Sequence, residues 1–313
     1  TIVGAEYVLT EPEKLEQYQT DEETDPRKFH LPEAVVLPKD AQEIAAVIKL
    51  ANTYDVPVTV RSGGTSLAGG AIPVCGGIVL LMERLNKIIE LNAEGMYMEV
   101  EAGVRTVDIQ KYANEAGFLY AGDPCSAESC LTGGNKAVRY GVTRDQVYAV
   151  EVVTPTGEIV ELGARLKKKS TGYCLEQLIM GSEGTLGIIT KATLKLQPIP
   201  PYRFDLLAVF GDPEQPLDVV PKIMQAGINP TSVEYMDNSY VRGTADYLEF
   251  KGAPHYENGI YVIITVETFS EDELDLKMEQ LDELCSAAGA VDVLEADERI
   301  WDMRRNCQES VRL

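Results

Sequence analysis

Ten residues constrain this chain more than any others: RSGGTSLAGG at 61–70, with four glycines, placed directly after the run VPVTVR at 56–61. The β-branched residues of that run predict a strand. Glycines immediately beyond a strand let the backbone take positive φ and bring successive N–H groups toward one point. Upstream, 34–37 reads as a short strand ending at Pro38. Asp40 and Glu43 then form a capping-box pattern, and Ile44, Val47, Ile48 and Ala51 recur at helical spacing up to Tyr54. Strand, helix, strand is the unit that builds parallel pairs. The glycine loop therefore leaves the end of a strand in such a unit.

Size and charge narrow the classes. At 313 residues the chain has room for two domains. Fifty acidic against 28 basic side chains give a net charge of −22, which argues against a nucleic-acid backbone or an anionic membrane as partner. The longest apolar runs are five residues, as at 78–82 and 206–210, so no membrane span and no signal-peptide core are expected. Six cysteines at 75, 125, 130, 174, 285 and 307 form no CxxC pair, which fits a reduced, cytoplasmic setting. With only His30 and His255, 225 residues apart, a histidine metal site or a Ser/Cys–His–Asp hydrolase is disfavoured unless one of the two histidines carries it alone. A homo-oligomer is expected.

The remaining chain divides at QPIPP, 197–201. Residues 1–31 read as a polar, acidic surface segment with some helix at 12–19. Hairpins are expected about 92–95 and 155–157, and a helix at 106–116 is closed by Gly117. Beyond the boundary come FDLLAVF, a helix ended by Gly227, SVEYM, a helical stretch at 239–250, IYVIITVE, a long helix capped by Ser270, and AVDVLEA. Strand–helix–strand twice over predicts a split βαβ, ferredoxin-like sheet with helices on one face.

A second glycine loop, GSEGTLGII at 181–189, feeds another strand, and a third cluster spans GDPCSAES at 122–129 with Gly133 and Gly134. Neither GxxxxGK[ST] nor GxGxxG occurs in the first loop, so neither a P-loop nor a Rossmann fingerprint is supported. Each loop alone reads equally as an irregular turn or as a phosphate cradle. Two such loops over a hundred residues apart would be explained together by one elongated cofactor.

Taken jointly, LPEAVVLPKDAQEIAAVIKLANTYDVPVTVRSGGTSLAGG, YAGDPCS, AVRYGVTRDQVYAVEVVTPTGEIVELG and STGYCLEQLIMGSEGTLGIITKATLKL resemble the FAD-linked oxidase family of the vanillyl-alcohol-oxidase type. More narrowly, the resemblance is to the branch of glycolate oxidase FAD subunits, D-lactate dehydrogenases and D-2-hydroxyglutarate dehydrogenases. It implies an α+β fold. A two-subdomain FAD-binding domain of PCMH type, residues 32–200, clasps an extended FAD, and an α+β cap, 201–313, is incomplete at its C-terminus. Arg61, Ser62, Gly63, Gly64, Thr65 and Ser66 fall on the pyrophosphate. Pro124 and Cys125 line the isoalloxazine, Gly133 belongs to the glycine pair of that loop, and Glu183, Gly184, Gly187 and Ile188 hold the ribityl or adenine side. Relatives with covalent flavin carry a histidine where Thr65 stands, so noncovalent FAD is expected.

The resemblance also implies an activity. A 2-hydroxy acid, D-lactate or glycolate, is oxidised to the 2-oxo acid by hydride transfer to the flavin, and electrons pass to an electron-transferring flavoprotein or a quinone. Arg304 in ERIWDMRR matches the position that holds the substrate carboxylate, ahead of Arg305. CLTGGNKAVRYG is shorter than the family pattern and reads as a join near Thr132. The family continues past the equivalent of Leu313 with a histidine-rich segment that binds a divalent metal and supplies the base. A non-catalytic, electron-relaying flavoprotein subunit is the alternative.

Overall fold

The computed structural model describes residues 2–23, 25–66, 68–122 and 136–307. The chain forms two compact units, Thr1–Gly134 with Val142–Pro198, and Asn135–Gly141 with Ile199–Leu313. Pro124, Cys125 and Gly133, and the join read near Thr132, lie outside the described residues.

The first unit holds two larger sheets. One runs in the order β1 (Val8–Leu9), β2 (Ala34–Val36), β4 (Ile78–Leu81), β3 (Val58–Arg61). The expected strand–helix–strand unit is β2, helix α2 (Ala41–Tyr54) and β3. Its two strands are not neighbours. Both pair in parallel with β4, which inserts between them. Asp40 caps α2 by accepting from the Glu43 N–H at 2.8 Å, a contact worth about 1 kcal/mol. Ile44, Val47 and Ile48 pack on Val36 and Leu80.

The opposite face of that sheet corrects one expectation. Residues 1–31 are not merely a surface segment. Helix α1 (Pro12–Leu15) buries Leu15 against Val35, Val79 and Leu81, with Leu9 and Tyr18 alongside. A strand such as β4, apolar at every position, must be covered on both faces, and the N-terminal segment supplies the second cover.

The other large sheet is antiparallel, in the order β5 (Ile88–Asn92), β6 (Tyr97–Glu101), β10 (Ile188–Lys195), β8 (Val147–Val153), β9 (Ile159–Gly163). Both expected hairpins are present, β5–β6 and β8–β9. Helix α3 (Thr106–Glu115) places Ile109 and Ala113 in its core, and Gly117 follows at φ +83°. A short pair joins β7 (Phe118–Leu119) to β11 (Gln197–Pro198). Helix α5 (Leu175–Ile179) precedes the second glycine loop.

The second unit carries helix α4 (Ala137–Tyr140) and a four-stranded antiparallel sheet. Its order is β13 (Ser232–Met236), β14 (Ile260–Thr268), β12 (Tyr202–Phe210), β15 (Asp292–Glu295). Helices α6 (Glu214–Gln225) and α8 (Glu271–Ala287) pack through Val219, Ile223, Leu281 and Cys285 on one face, against Leu206, Ala208, Val262 and Ile264. The expectation of helices on a single face is incomplete. Helices α7 (Asn238–Tyr247) and α9 (Glu298–Asn306) cover the other face, through Val241, Ala245, Ile300 and Met303 on Leu207, Val209 and Ile263. Every residue of β14 is therefore buried.

Candidate functional site

The first glycine loop leaves the carboxyl end of β3, the end at which ligands bind in parallel sheets. Met82 N–H donates to the Arg61 carbonyl at 3.0 Å, and the Ser62 hydroxyl donates to the Ala102 carbonyl at 3.2 Å. The second contact ties the loop to the end of β6. Gly64 and Gly69 have φ of +68° and +75°. Among the described residues, the N–H groups of Gly63, Gly64 and Thr65 make no hydrogen bond within the chain. Three consecutive backbone donors open to solvent at a glycine bend are available to an anion.

The second loop meets the first. A Cβ built on Gly70 would stand 3.0 Å from a Glu183 carboxylate oxygen, and one on Gly184 would stand 2.9 Å from Val60 Cγ2. Gly181, Glu183 and Gly184 all take positive φ, at +90°, +52° and +79°. Glu183 thus pays the strain of a left-handed backbone to keep this turn. Ser182 Oγ is buried with no partner among the described residues, and buried hydroxyls in native proteins are otherwise bonded. Gly187 packs on Val152 and Ile188 is buried at the start of β10, so this half of the set anchors the loop to its sheet. The bend, the unclaimed N–H row and the orphan hydroxyl fit the phosphate and sugar portions of a dinucleotide.

Arg61 is held by the N-terminal segment. Its Nη1 donates to the Thr20 carbonyl at 2.6 Å, and its guanidinium lies 5.7 Å from the centre of the Tyr18 ring. It also folds over Gly64, where a Cβ would fall 2.2 Å from Nη2. Burial pulls its pKa below the ordinary arginine value, and the charge of Asp21 offsets part of this. An arginine stays cationic through such a shift. Glu22 N–H donates to the Ser66 carbonyl at 3.1 Å, so the N-terminal segment runs along the loop. Gln110 Nε2 donates to the Gly122 carbonyl at 2.7 Å, where the third cluster begins.

In the second unit Asp297 caps α9 by accepting from Ile300 N–H at 3.1 Å. Ile300, Met303, Arg304 and Cys307 then share one helix face, at offsets of three, four and seven. Arg304 thus lies on the inward stripe, with its side chain 18% exposed. Its Nε and Nη2 both donate to Glu234 Oε2, at 2.7 and 2.6 Å, and Nη1 lies 3.4 Å from Cys307 Sγ. Arg305 points to solvent and pairs with Glu298 and Asp302. The neighbouring arginines are chemically unlike each other for that reason alone.

Sequence reasoning missed Glu234, and it missed a buried cluster about Glu267. Thr231 Oγ1 donates to Glu267 Oε2 at 3.1 Å, and Arg139 Nη1 donates to the Glu267 carbonyl at 2.5 Å. Tyr140 Oη reaches the same carboxylate at 3.5 Å, and burial raises its pKa above the ordinary phenol value. One signal was legible: a glutamate closing a largely apolar strand run, IYVIITVE, needs a partner.

Residues 32–163 match the family described as FAD binding domain, and residues 199–312 match FAD linked oxidases, C-terminal domain. The chain belongs to the FAD-linked oxidase family. FAD is its cofactor. It is 38% identical over 280 residues to D-lactate dehydrogenase of Anaerostipes hadrus, a match covering 85% of this chain and 58% of that protein. It is 34% identical over 276 residues to glycolate oxidase subunit GlcD of Bacillus subtilis, covering 86% and 58%. A D-2-hydroxyglutarate dehydrogenase of Xanthomonas citri is 40% identical over 216 residues, covering 66% and 45%. This family member therefore spans 58% of the length of each of the first two relatives. The structure of p-cresol methylhydroxylase superposes with a TM-score of 0.81 at 21% identity, covering 98% of this chain and 67% of that one. The shared fold is the mixed helix and sheet architecture of vanillyl-alcohol-oxidase-type flavoenzymes. Among the described residues no helix is long and apolar enough to cross a membrane, and no cluster of three or more histidine, cysteine or acidic side chains could hold a metal ion.

Proposed function

We propose that this chain is the flavin and cap portion of an FAD-dependent 2-hydroxy-acid dehydrogenase, acting on D-lactate or glycolate. The observation that carries the reading is the meeting of two glycine loops, with an unclaimed row of N–H groups, in a chain whose relatives are named for these hydroxy acids. In this reading 32–200 binds FAD noncovalently, because Thr65 offers no flavin-linking imidazole. Gly63, Gly64 and Thr65 donate to the pyrophosphate. Ser182, Glu183 and Gly184 serve the sugar side, and Arg61 braces the loop while adding positive potential. Residues 201–313 form a cap of split βαβ, ferredoxin-like type, and 1–31 brace the flavin-binding sheet.

When bound, FAD would supply the hydride acceptor for oxidation of the 2-hydroxy acid. Arg304 binds the substrate carboxylate, for which a guanidinium fork is the matching donor. Orienting the α-hydrogen this way contributes through positioning rather than through new covalent chemistry. The electrons then pass to an electron-transferring flavoprotein or a quinone. A chain of net charge −22 suits an acceptor with a cationic docking face. The protein works in the cytoplasm as a homo-oligomer.

The test is the anaerobic visible spectrum of the full-length protein before and after D-lactate, glycolate or D-2-hydroxyglutarate. Bleaching of the flavin band by one of the three establishes the substrate. A flavin band that none of them bleaches rejects the dehydrogenase reading in favour of an electron-relaying flavoprotein.

A further inference from the structure

We propose that Glu234 is the positioning residue for Arg304, holding one edge of its guanidinium so that it can receive a substrate carboxylate. The inference rests on the reading of Arg304 as the carboxylate-binding group. Four observations carry it.

Glu234 sits on β13, the edge strand, beside Met236 in the alternation that faces α7 and α9, while Val233 faces α6 and α8. The strand therefore aims this carboxylate at α9. Two guanidinium nitrogens, Nε and Nη2, converge on the single oxygen Oε2 at 2.7 and 2.6 Å. Two contacts on one edge aim that edge of the planar group at Glu234 and limit its swing more than a single contact would. Both side chains are mostly withdrawn from water, at 18% and 12% exposure. Removing two charges from water costs about as much as their attraction returns, so such a pair is poorly explained by stability alone. Finally, the adjacent Arg305 satisfies itself with Glu298 and Asp302 from its own helix. Arg304 reaches instead to a residue 70 positions away.

Glu234 touches no reacting atom in this scheme. It acts through Arg304 by holding its orientation and by balancing its charge while the substrate is absent. A guanidinium already oriented loses less freedom when the carboxylate arrives, so the benefit appears in substrate affinity.

The experiment uses the full-length flavoprotein with Glu234→Ala, Glu234→Gln and Arg304→Ala. Three quantities are read: flavin content, KM and kcat for the hydroxy acid that bleaches the flavin, and the Kd of 2-hydroxyisobutyrate from its perturbation of the flavin spectrum. That probe keeps the carboxylate and hydroxyl but has no α-hydrogen to lose. Glu234→Ala is expected to raise KM and the probe Kd by about tenfold or more, with flavin content unchanged and kcat altered far less. Glu234→Gln keeps one acceptor oxygen in place and is expected to fall between the wild type and the alanine variant. Wild-type KM and Kd in both Glu234 variants overturn the proposal. Flavin loss in the isosteric glutamine variant also overturns it, since the pair is then structural. If Arg304→Ala raises KM and the Glu234 variants do not, only the positioning role fails. If Arg304→Ala also binds substrate and probe normally, the reading of Arg304 itself has failed.

Discussion

The two units build their candidate sites from different materials. In the first unit the proposed binding groups are backbone: the N–H groups of Gly63, Gly64 and Thr65, and the left-handed turn at Gly181, Glu183 and Gly184. In the second they are side chains, Arg304 on a helix and Glu234 on a strand 70 residues earlier. A backbone site needs residues that do not obstruct it, and it tolerates changes in what its side chains are. A side-chain site needs one particular group in one orientation. The difference teaches where mutation should hurt in each unit.

The largest effect is expected at the glycines. Gly64→Val places a β-branched side chain at φ +68°, with its Cβ 2.2 Å from the Arg61 guanidinium, and should abolish FAD retention. Gly184→Val, against Val60, should do the same. Flavin absorbance per protein after gel filtration checks both. By contrast, Ser62→Ala removes one neutral hydrogen bond to Ala102 and should cost about 1 kcal/mol, with flavin retained. Equal losses at Ser62 and Gly64 would break the comparison.

Next in size is Arg304. Arg304→Ala should lower kcat/KM by about 2–5 kcal/mol in transition-state terms while leaving FAD bound. Arg304→Lys keeps the charge but loses the planar fork, and should recover little of that. Full activity in the lysine variant would mean that charge alone matters there, and would make the second site no more specific than a positive field.

A smaller effect tests the framework under the second site. Asp237 caps α7 by accepting from the Ser239 hydroxyl at 2.6 Å and from Tyr240 N–H at 3.0 Å. The Ser239 bond, more than the Tyr240 N–H, holds its pKa below the ordinary 3.8. A carboxylate whose folded pKa is depressed stabilises fully above its unfolded value, and that stability is lost as pH falls through the folded value. Asp237→Ala should therefore lower Tm by an amount equivalent to about 1 kcal/mol at pH 7, and the difference from wild type should vanish in acid below that folded value. Smallest of all is a labelling contrast. Cys285, whose thiol is pushed up to about 12 by burial and by the Asp282 charge, should resist a thiol reagent at pH 8 in the folded protein. The exposed Cys75 and Cys174 should react, as mass mapping of the labelled peptides would show.

What could be read in advance follows the same division. The capped helix α2, both hairpins, the capped helix α8 and the two glycine loops were legible because each depends on residues close together in the chain. Glycine announces a backbone site, since few other reasons place four of them in ten residues after a strand. The insertion of β4 between β2 and β3 was not legible, because strand order depends on which edges remain open once the helix has packed. Nor was the burial of Leu15, which an acidic local context disguised.

The sequence by itself determined the local conformations, the strand–helix–strand unit and the family, through patterns that short-range sterics and capping impose. Only the tertiary structure decided that loop 61–70 meets loop 181–187, that Arg61 turns to Thr20, and that Arg304 rather than Arg305 faces inward onto Glu234. Those outcomes join residues tens to more than a hundred positions apart. Their partners are chosen by which faces the sheets and helices leave for one another, and no local pattern carries that choice.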